Sequence, residues 1–472
     1  MNTDCKQKKF EFQALGTRKV EAKFDGGYIT SDGGALLLRE TEERFRIIER
    51  FAECFTDYRD PSKLEHTVKE LVSQRVHGIA LGYEDLVDHD ELRLDPLMAV
   101  LAGKQDPTGQ DRKRVRDKGN ALAGKSTLNR MELTPSDADC THRYKKIVMQ
   151  ENLVDDLLVD AFLKKHEKPP ECIILDFDAT DDPLHGNQEG KFYHGYYREY
   201  CYLPLYVFCG NDILCARLRP SGIDASEGTV EELERIVGHI RSAWPDVRII
   251  VRGDSGFCRE AIMKWCEENG VDFLFGLAKN SRLIKLIHND LEEAKSFYEA
   301  TGKGSRVFTE FLYRTLKSWS RLRRVVAKAE YLPKGANPRF VVMSISKKEI
   351  CGRTLYEQLY CARGNMENRI KEQQLCLFAD RTSSAKMRAN QLRLYFSTIA
   401  YILVNMFREI GLEGTSMARA QCGTIRLKLF KIGALVQMSV RRIAFSYAGG
   451  YPYKMLYAIA QRKIRAVKPS YG

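Results

Sequence analysis

Hydrophobic positions recur at helical spacing through the first part of the chain and at strand spacing through its middle. "GGALLLRETEERFRIIERFAECF" (33–55) starts after a glycine pair and repeats apolar residues every three or four positions. "PSKLEHTVKELVSQRVHGIALGYEDL" (61–86) does the same, and both stretches predict helices. A basic, loop-like stretch, "GKQDPTGQDRKRVRDKG" (103–119), leads into "STLNRMEL", where Ser126 or Thr127 can cap a short helix. Helices beside a flexible basic loop suit a helical DNA-binding region over 1–150.

The pattern changes at 171–285. "CIILDFDA" reads as a buried strand, with "YCYLPLYVFCG" and "DILCARLRPSG" as the second and third. "GTVEELERIVGHIRSAW" is a helix, "DVRIIVRGDSGF" a strand, "REAIMKWCEENG" a helix and "VDFLFGLA" a fifth strand. The order β-β-β-α-β-α-β predicts an α/β domain with a mixed sheet. Over 286–354, "SRVFTEFLYRTL", "RRVVAKAEYL" and "PRFVVMSIS" predict a β-rich insertion. Helices resume at 355–412 and continue through a basic segment, 413–472. "LRLYFSTIAYILVNMF" (392–407) holds Arg393 and Asn405 and is too short for a bilayer span, so it reads as a buried helix.

Composition sharpens this picture in three places. With 472 residues, of which 44% are hydrophobic, the chain can build several packed cores. Its start, "MNTDCKQKKFEF", lacks the apolar run of a signal peptide, and its 13 cysteines contain no C-x-x-C pair. A cytoplasmic protein with reduced thiols is therefore expected, with no membrane partner. The net charge of +12 is unevenly placed: residues 381–472 hold sixteen Lys or Arg and two acids, Glu409 and Glu413. A basic end on a nearly neutral body points to a polyanion such as nucleic acid. "RLKLFK", "VRRIAF" and "QRKIRAVK" interleave apolar and basic residues, which predicts helices with basic faces that grip backbone phosphates.

Acidic residues then raise the question of chemistry. "LDFDATDDPLHGNQEG" (175–190) packs Asp176, Asp178, Asp181 and Asp182 where a strand leaves the core. Asp254 stands at a second strand end, in "IIVRGDSGF". In "LYCARGNMENRIKEQQ" (359–374) a helix would set Arg363, Glu367 and Lys371 on one face, with Tyr360 one turn before Arg363. Singly, each acid reads as a turn residue or half of an ion pair. Together, two Asp and one Glu suit hard divalent cations, Mg2+ or Mn2+, and two such ions about 4 Å apart drive phosphodiester displacement.

Five blocks, "DFDATDDPLHGNQEG", "RGDSGF", "RGNMENRIKE", "DRTSSAKMRANQLRL" and "QRVHGIALGYEDLVDHDELRLDP", resemble the DDE transposases of the insertion-sequence 1380 family, within the insertion-sequence 4 group, from about residue 30 to 465. The resemblance implies a ribonuclease H-like catalytic domain carrying a β-rich insertion, flanked by mainly helical DNA-binding regions. It also implies two-metal cleavage at the terminal inverted repeats of a mobile element, joining of the 3′-OH ends to target DNA, a homodimer in the synaptic complex, and a nucleoid-associated bacterial protein. Carried over by motif, Asp178, Asp254 and Glu367 are the catalytic and metal-binding acids, with Asp176 as runner-up for the first. Tyr360, Arg363 and Glu367 match the group's Tyr–Arg–Glu–Lys spacing. Gln374 stands at the lysine position, leaving Lys371 as the nearest substitute.

Other signals are weighed beside these. "GNALAGKS" (119–126) has P-loop spacing but follows "QDRKRVRDK", which cannot be the required buried strand. Lys125 and Arg130 therefore read as DNA phosphate contacts, as does Arg252. Trp319 in "KSWSRLRR" could stack a flipped base or simply pack, and His185 could orient phosphate or sit in a loop. The competing functions are a DNA-binding relative that no longer cuts and a plain metal-dependent nuclease.

Overall fold

The structure, a computed structural model, describes residues 9–469. The first eight residues, on which the absence of a leader was partly read, lie outside it. Two compact units divide the chain: Met149–Thr398, and Met1–Val148 together with Ile399–Gly472.

Met149–Thr398 is built on a mixed sheet. Its strands are β1 (Cys172–Ala179), β2 (Leu205–Cys209), β3 (Asp212–Arg217), β4 (Arg248–Gly253), β5 (Asp272–Leu277), β6 (Ser305–Tyr313), β7 (Arg323–Leu332) and β8 (Arg339–Met343), in the spatial order β3-β2-β1-β4-β5-β8-β7-β6. β2 pairs antiparallel with both β1 and β3, whereas β4 runs parallel to both β1 and β5. Helices Thr229–Ala243 and Glu260–Glu268 make the two crossovers that parallel pairing demands.

Both faces of this sheet are covered, which explains its unbroken apolar runs. Ile249 and Val251 of β4 enter one cluster with Leu233, Ile236 and Ile240 of the first crossover helix and Met263 of the second. Ile250 turns the other way, toward Leu274, Val341, Leu355 and Tyr356. Each fully buried aliphatic side chain contributes about 1.5–3 kcal/mol relative to exposure.

The expected β-rich insertion begins later and ends differently. Residues at 281–301 form helices Ser281–Leu286 and His288–Thr301, with Leu283 and Ala294 buried. The three strands that follow extend the same sheet, because β8 pairs antiparallel with β5. Their alternation serves both clusters, Val325 and Ala327 on one side and Val326 on the other.

The other unit is largely helical around Val68–Leu81, which starts on a reciprocal Thr67–Glu70 capping box. From Leu71 to Leu81 every residue is buried, so this helix is enclosed on all sides and not merely along one stripe. Its polar residues find internal partners: Gln74 donates to the carbonyl of Ala123, and Arg75 pairs with Glu132 at 3.2 Å. Gly82, at φ +93°, ends the helix, and Arg426 donates to the carbonyls of Ile79 and Ala80.

The terminal segment is less helical than expected. "VRRIAF" forms the turn and second strand of a hairpin, Ala434–Ser439 with Arg442–Tyr447, which pairs on to Tyr28–Thr30. Alternation of apolar and polar residues outweighed any helical period there. Basic residues of this segment also serve the fold, Lys431 pairing with Asp32 at 2.6 Å. "QRKIRAVK" is helical as expected, closing the helix Lys454–Ala466. No helix among the described residues is long and apolar enough to cross a membrane.

Candidate active site

Register decides which acids meet. β1 and β4 are parallel, with Asp176 opposite Arg252 and Phe177 opposite Gly253. One step further along, β4 has ended and Asp254 follows it. Asp178 is next to last in β1 and still paired with Tyr206 of β2, so the two acids stand at the same edge of the sheet. Residues two apart share a face, so Asp176 and Asp178 project from the same side of β1. That side faces the segment carrying Leu355 and Tyr356, whose continuation holds the third acid.

This segment winds unusually. Leu355–Tyr360 is a π-helical stretch, Cys361–Arg363 a tight 3-10 turn, and Gly364–Leu377 a regular α-helix with Glu367 in its first turn. Such changes of pitch redirect side chains without interrupting the helix. They bring Arg363, Glu367 and Lys371 to the cavity that Asp178 and Asp254 also line, of about 720 Å³.

Within this cavity Arg363 is the resident counter-charge. Its guanidinium lies 2.5 Å from Glu367 Oε1 and 3.9 Å from Asp178 Oδ1. Asp254 Oδ1 accepts the backbone N–H of Gly256 at 2.8 Å, which fixes the turn after β4. Burial pushes the Asp178 carboxyl up to about 7, and Asp254 and Glu367 add to the rise while Arg363 opposes it. Burial also works against the charge of Arg363, but Asp178 and Glu367 outweigh it and raise its pKa. The site is thus an acid cluster short of positive charge.

An all-carboxylate donor set of this kind fits a hard divalent cation. The side chains are not gathered as finished ligands, however. Among the described residues no group of three or more His, Cys, Asp or Glu stands ready to hold a metal ion. Arg363 occupies the place between the carboxylates, and its withdrawal would release Glu367.

The other expected residues fall into three groups. Asp176 and Arg252 are buried and form a two-pronged ion pair, 2.5 and 2.7 Å, so Arg252 is no surface grip for DNA. Arg252 also donates to the carbonyl of Leu359, tying β4 to the stretch before Glu367. Tyr360 packs on Tyr356, ring centres 5.7 Å apart, beneath the Asp254 turn. A Cβ built on Gly276 would come within 2.5 Å of its hydroxyl. Gln374, at the family's lysine position, lines the cavity and donates to Asp182 Oδ1 at 2.9 Å and to the carbonyl of Asp181.

Trp319 is buried edge-on to Tyr313 with Arg323 over its ring, which leaves no face for a base. His185 is exposed and is not part of the cavity wall. Lys125 and Arg130 belong to the other unit, where Lys125 pairs with Asp90 at 3.1 Å and Arg130 lies over the Tyr144 ring at 4.8 Å. The "GNALAGKS" stretch follows a 3-10 turn, Val115–Asp117, and so lacks the strand a P-loop requires.

Sequence reasoning passed over His194, Tyr196 and Tyr197, all of which line the cavity. His194 packs on Tyr197 at 4.9 Å, and its Nδ1 is buried without a hydrogen-bond partner among the described residues. Tyr196 is 83% exposed. The available signal was the aromatic density of "FYHGYYREYCY" (192–202), close after the first acid. Such density reads equally as core until strand pairing shows which rings face outward.

Comparison with known proteins adds a family and a distant likeness. A family model described as transposase DDE domain group 1 matches residues 12–469. No curated protein sequence matches the chain. A solved structure described as the piggyBac transposase synaptic complex with hairpin DNA is similar at 13% identity, covering 85% of this chain and 80% of that one, with a TM-score of 0.43.

Proposed function

Because the chain belongs to the transposase DDE domain group 1 family, we propose that it is a DNA transposase whose reaction centre is the cavity lined by Asp178, Asp254 and Glu367. The proposed substrate is double-stranded DNA at the terminal inverted repeats of an insertion sequence of the 1380 family. In the first step water adds to the scissile phosphorus and the 3′-oxygen leaves as a free 3′-OH. In the second, that 3′-OH adds to a target phosphodiester and displaces the target's own 3′-oxygen.

Two Mg2+ or Mn2+ ions, held by the three carboxylates, would supply Lewis acidity and charge neutralisation to both displacements. The side chains have separate tasks. Arg363 gives up Glu367 and turns its planar fork to a phosphate, which it can grip through two hydrogen bonds. Lys371 adds a point charge one turn further along the helix. Arg252 and Asp176 act as positioning residues, holding β4, β1 and the Glu367 segment in one frame. Tyr360 supports the Asp254 turn, and His194 and Tyr197 line the same cavity.

The supporting observation is the convergence of three acids, distant in sequence, on one cavity with a single guanidinium among them. A ribonuclease H-like core is part of the proposal, supported by the order β3-β2-β1-β4-β5 with its antiparallel and parallel halves. So are two copies of the chain bridging two element ends. The test is nicking of a duplex that carries the element's own end. Wild type is expected to nick it only with Mg2+ or Mn2+, releasing a 3′-OH, and Asp254→Ala to leave it intact. Equal cutting of unrelated duplex, with no joined product, would make the protein a plain nuclease.

A further inference from the structure

The unit formed by residues 9–148 and 399–469 contains a second polar cavity, about 840 Å³, walled entirely by residues between 59 and 146. Nine of its lining side chains are Arg or Lys and four are Asp or Glu. The acids are largely spoken for. Glu65 accepts from Arg112 at 3.0 Å, Asp60 pairs with Lys63 at 3.1 Å, and Asp90 pairs with Lys125. Arg114, Arg130 and Arg143 are exposed and make no ion pair among the described residues.

Two further features suit the cavity to negative charge. Tyr144, 54% exposed, carries the guanidinium groups of both Arg130 and Arg143 over its ring, each 4.8 Å from the ring centre. These cation–π contacts hold two arginines at the rim without using up their hydrogen-bond donors. His66 lines the cavity, is 5% exposed, and its Nδ1 has no hydrogen-bond partner among the described residues. Burial and then the charges of Lys104, Arg112 and Arg59 push its pKa down to about 2, so it stays neutral in a field that is already positive. The carboxylates that could neutralise this wall are too few.

We propose that this cavity is a docking groove for the phosphodiester backbone of duplex DNA, with Arg114, Arg130 and Arg143 as its phosphate contacts and Tyr144 as the ring that holds the last two in place. The inference rests on the transposase reading only for the choice of DNA as the polyanion. Contacts of this type set position and affinity and do not read sequence. Nothing in the groove is arranged like a P-loop, although Ser126 and Thr127 of "GNALAGKS" lie on its wall.

The test is fluorescence anisotropy of a labelled duplex of arbitrary sequence against the full-length chain, between about 50 and 200 mM salt. Replacing Arg114, Arg130 and Arg143 together by Ala is expected to weaken binding at least tenfold at the lower salt and to flatten the plot of log K against log salt by about 2–3 units. Arg114→Ala alone, which leaves the Tyr144 contacts intact, should flatten it by about one unit. An unchanged slope in both overturns the proposal. So does displacement of the duplex by ATP or inorganic phosphate at matched concentration, which would make the groove a small-anion site. Preference for single-stranded DNA or RNA also overturns it. Asp254→Ala separates the two readings: it should keep the full salt slope while losing nicking. If no duplex is ever nicked yet the triple variant loses its slope, the groove stands and the transposase reading falls.

Discussion

Asp176 of β1 and Arg252 of β4 face each other one row deeper than Asp178, which shares their face near the end of β1, and Asp254, which follows the end of β4. The deeper row joins an acid to a base, and the pair is sealed at 2.5 and 2.7 Å. The outer row sets acid beside acid and opens on a cavity. One substitution in register, Arg at 252 against Asp at 254, therefore separates a structural row from a reactive one. Asp182 shows a third outcome in the same cluster. It is buried, and burial, opposed by the hydrogen bond from Gln374 and helped by Asp380 and Asp181, pushes its carboxyl up to about 8, so it keeps its proton. Four aspartates can crowd into seven positions because they do not carry four like charges into one space.

The sharpest break of this contrast is at the outer row. Asp254→Ala should lower DNA nicking by about a thousandfold or more, an estimate that treats the acid as part of a cooperating set, while thermal melting stays near wild type. Loss of folding instead of activity would put Asp254 in the structural class. At the deeper row the effect should be on stability. Arg252→Ala leaves Asp176 buried and unpaired, which costs about 3–5 kcal/mol, whereas the double change Asp176→Leu with Arg252→Met should recover most of that. Urea unfolding of the three chains measures it, and a double variant no better than the single would show that the tie to Leu359 matters more than the charge pair.

Asp182 sharpens the comparison through pH. Its folded-state pKa lies above the ordinary carboxylate value, so between about pH 4 and pH 8 the folded chain holds a proton that the unfolded chain has lost. Its contribution to stability is complete at the acid end and declines toward pH 8, by at most about 1.4 kcal/mol per pH unit. Asp182→Asn keeps an acceptor for Gln374 and removes that slope, so its advantage over wild type should grow from pH 5 to pH 8 in melting curves. The smallest effect is expected beneath the Asp254 turn. The Cβ of Gly276→Ala meets Tyr360 and the turn itself, a strain of about 1–3 kcal/mol. Nicking should fall severalfold with little change in DNA binding.

Much of this arrangement is legible along the chain. The strands before Asp178 and Asp254 announce themselves by apolar runs, and a turn after each places the acids at sheet ends. Spacing alone puts Arg363, Glu367 and Lys371 on one helical face. What stays hidden depends on pairing between distant segments. A lone Arg in "IIVRGD" looks like a ligand-binding charge until the register sets Asp176 opposite it. Trp319 among basic residues looks exposed until Tyr313 and Arg323 are seen to enclose it. The insertion reads as separate because nothing local reveals that β8 pairs with β5. His194 lacks any local mark, since its importance arises only from the wall it forms with Tyr197.

Titration of the full-length chain with Mn2+, followed by calorimetry, tests most directly whether the three acids act as one cation site. Saturable uptake by the wild-type chain is the expected result, lost in each of Asp178→Asn, Asp254→Asn and Glu367→Gln while all three stay folded. Uptake that survives unchanged in any one of them would contradict it.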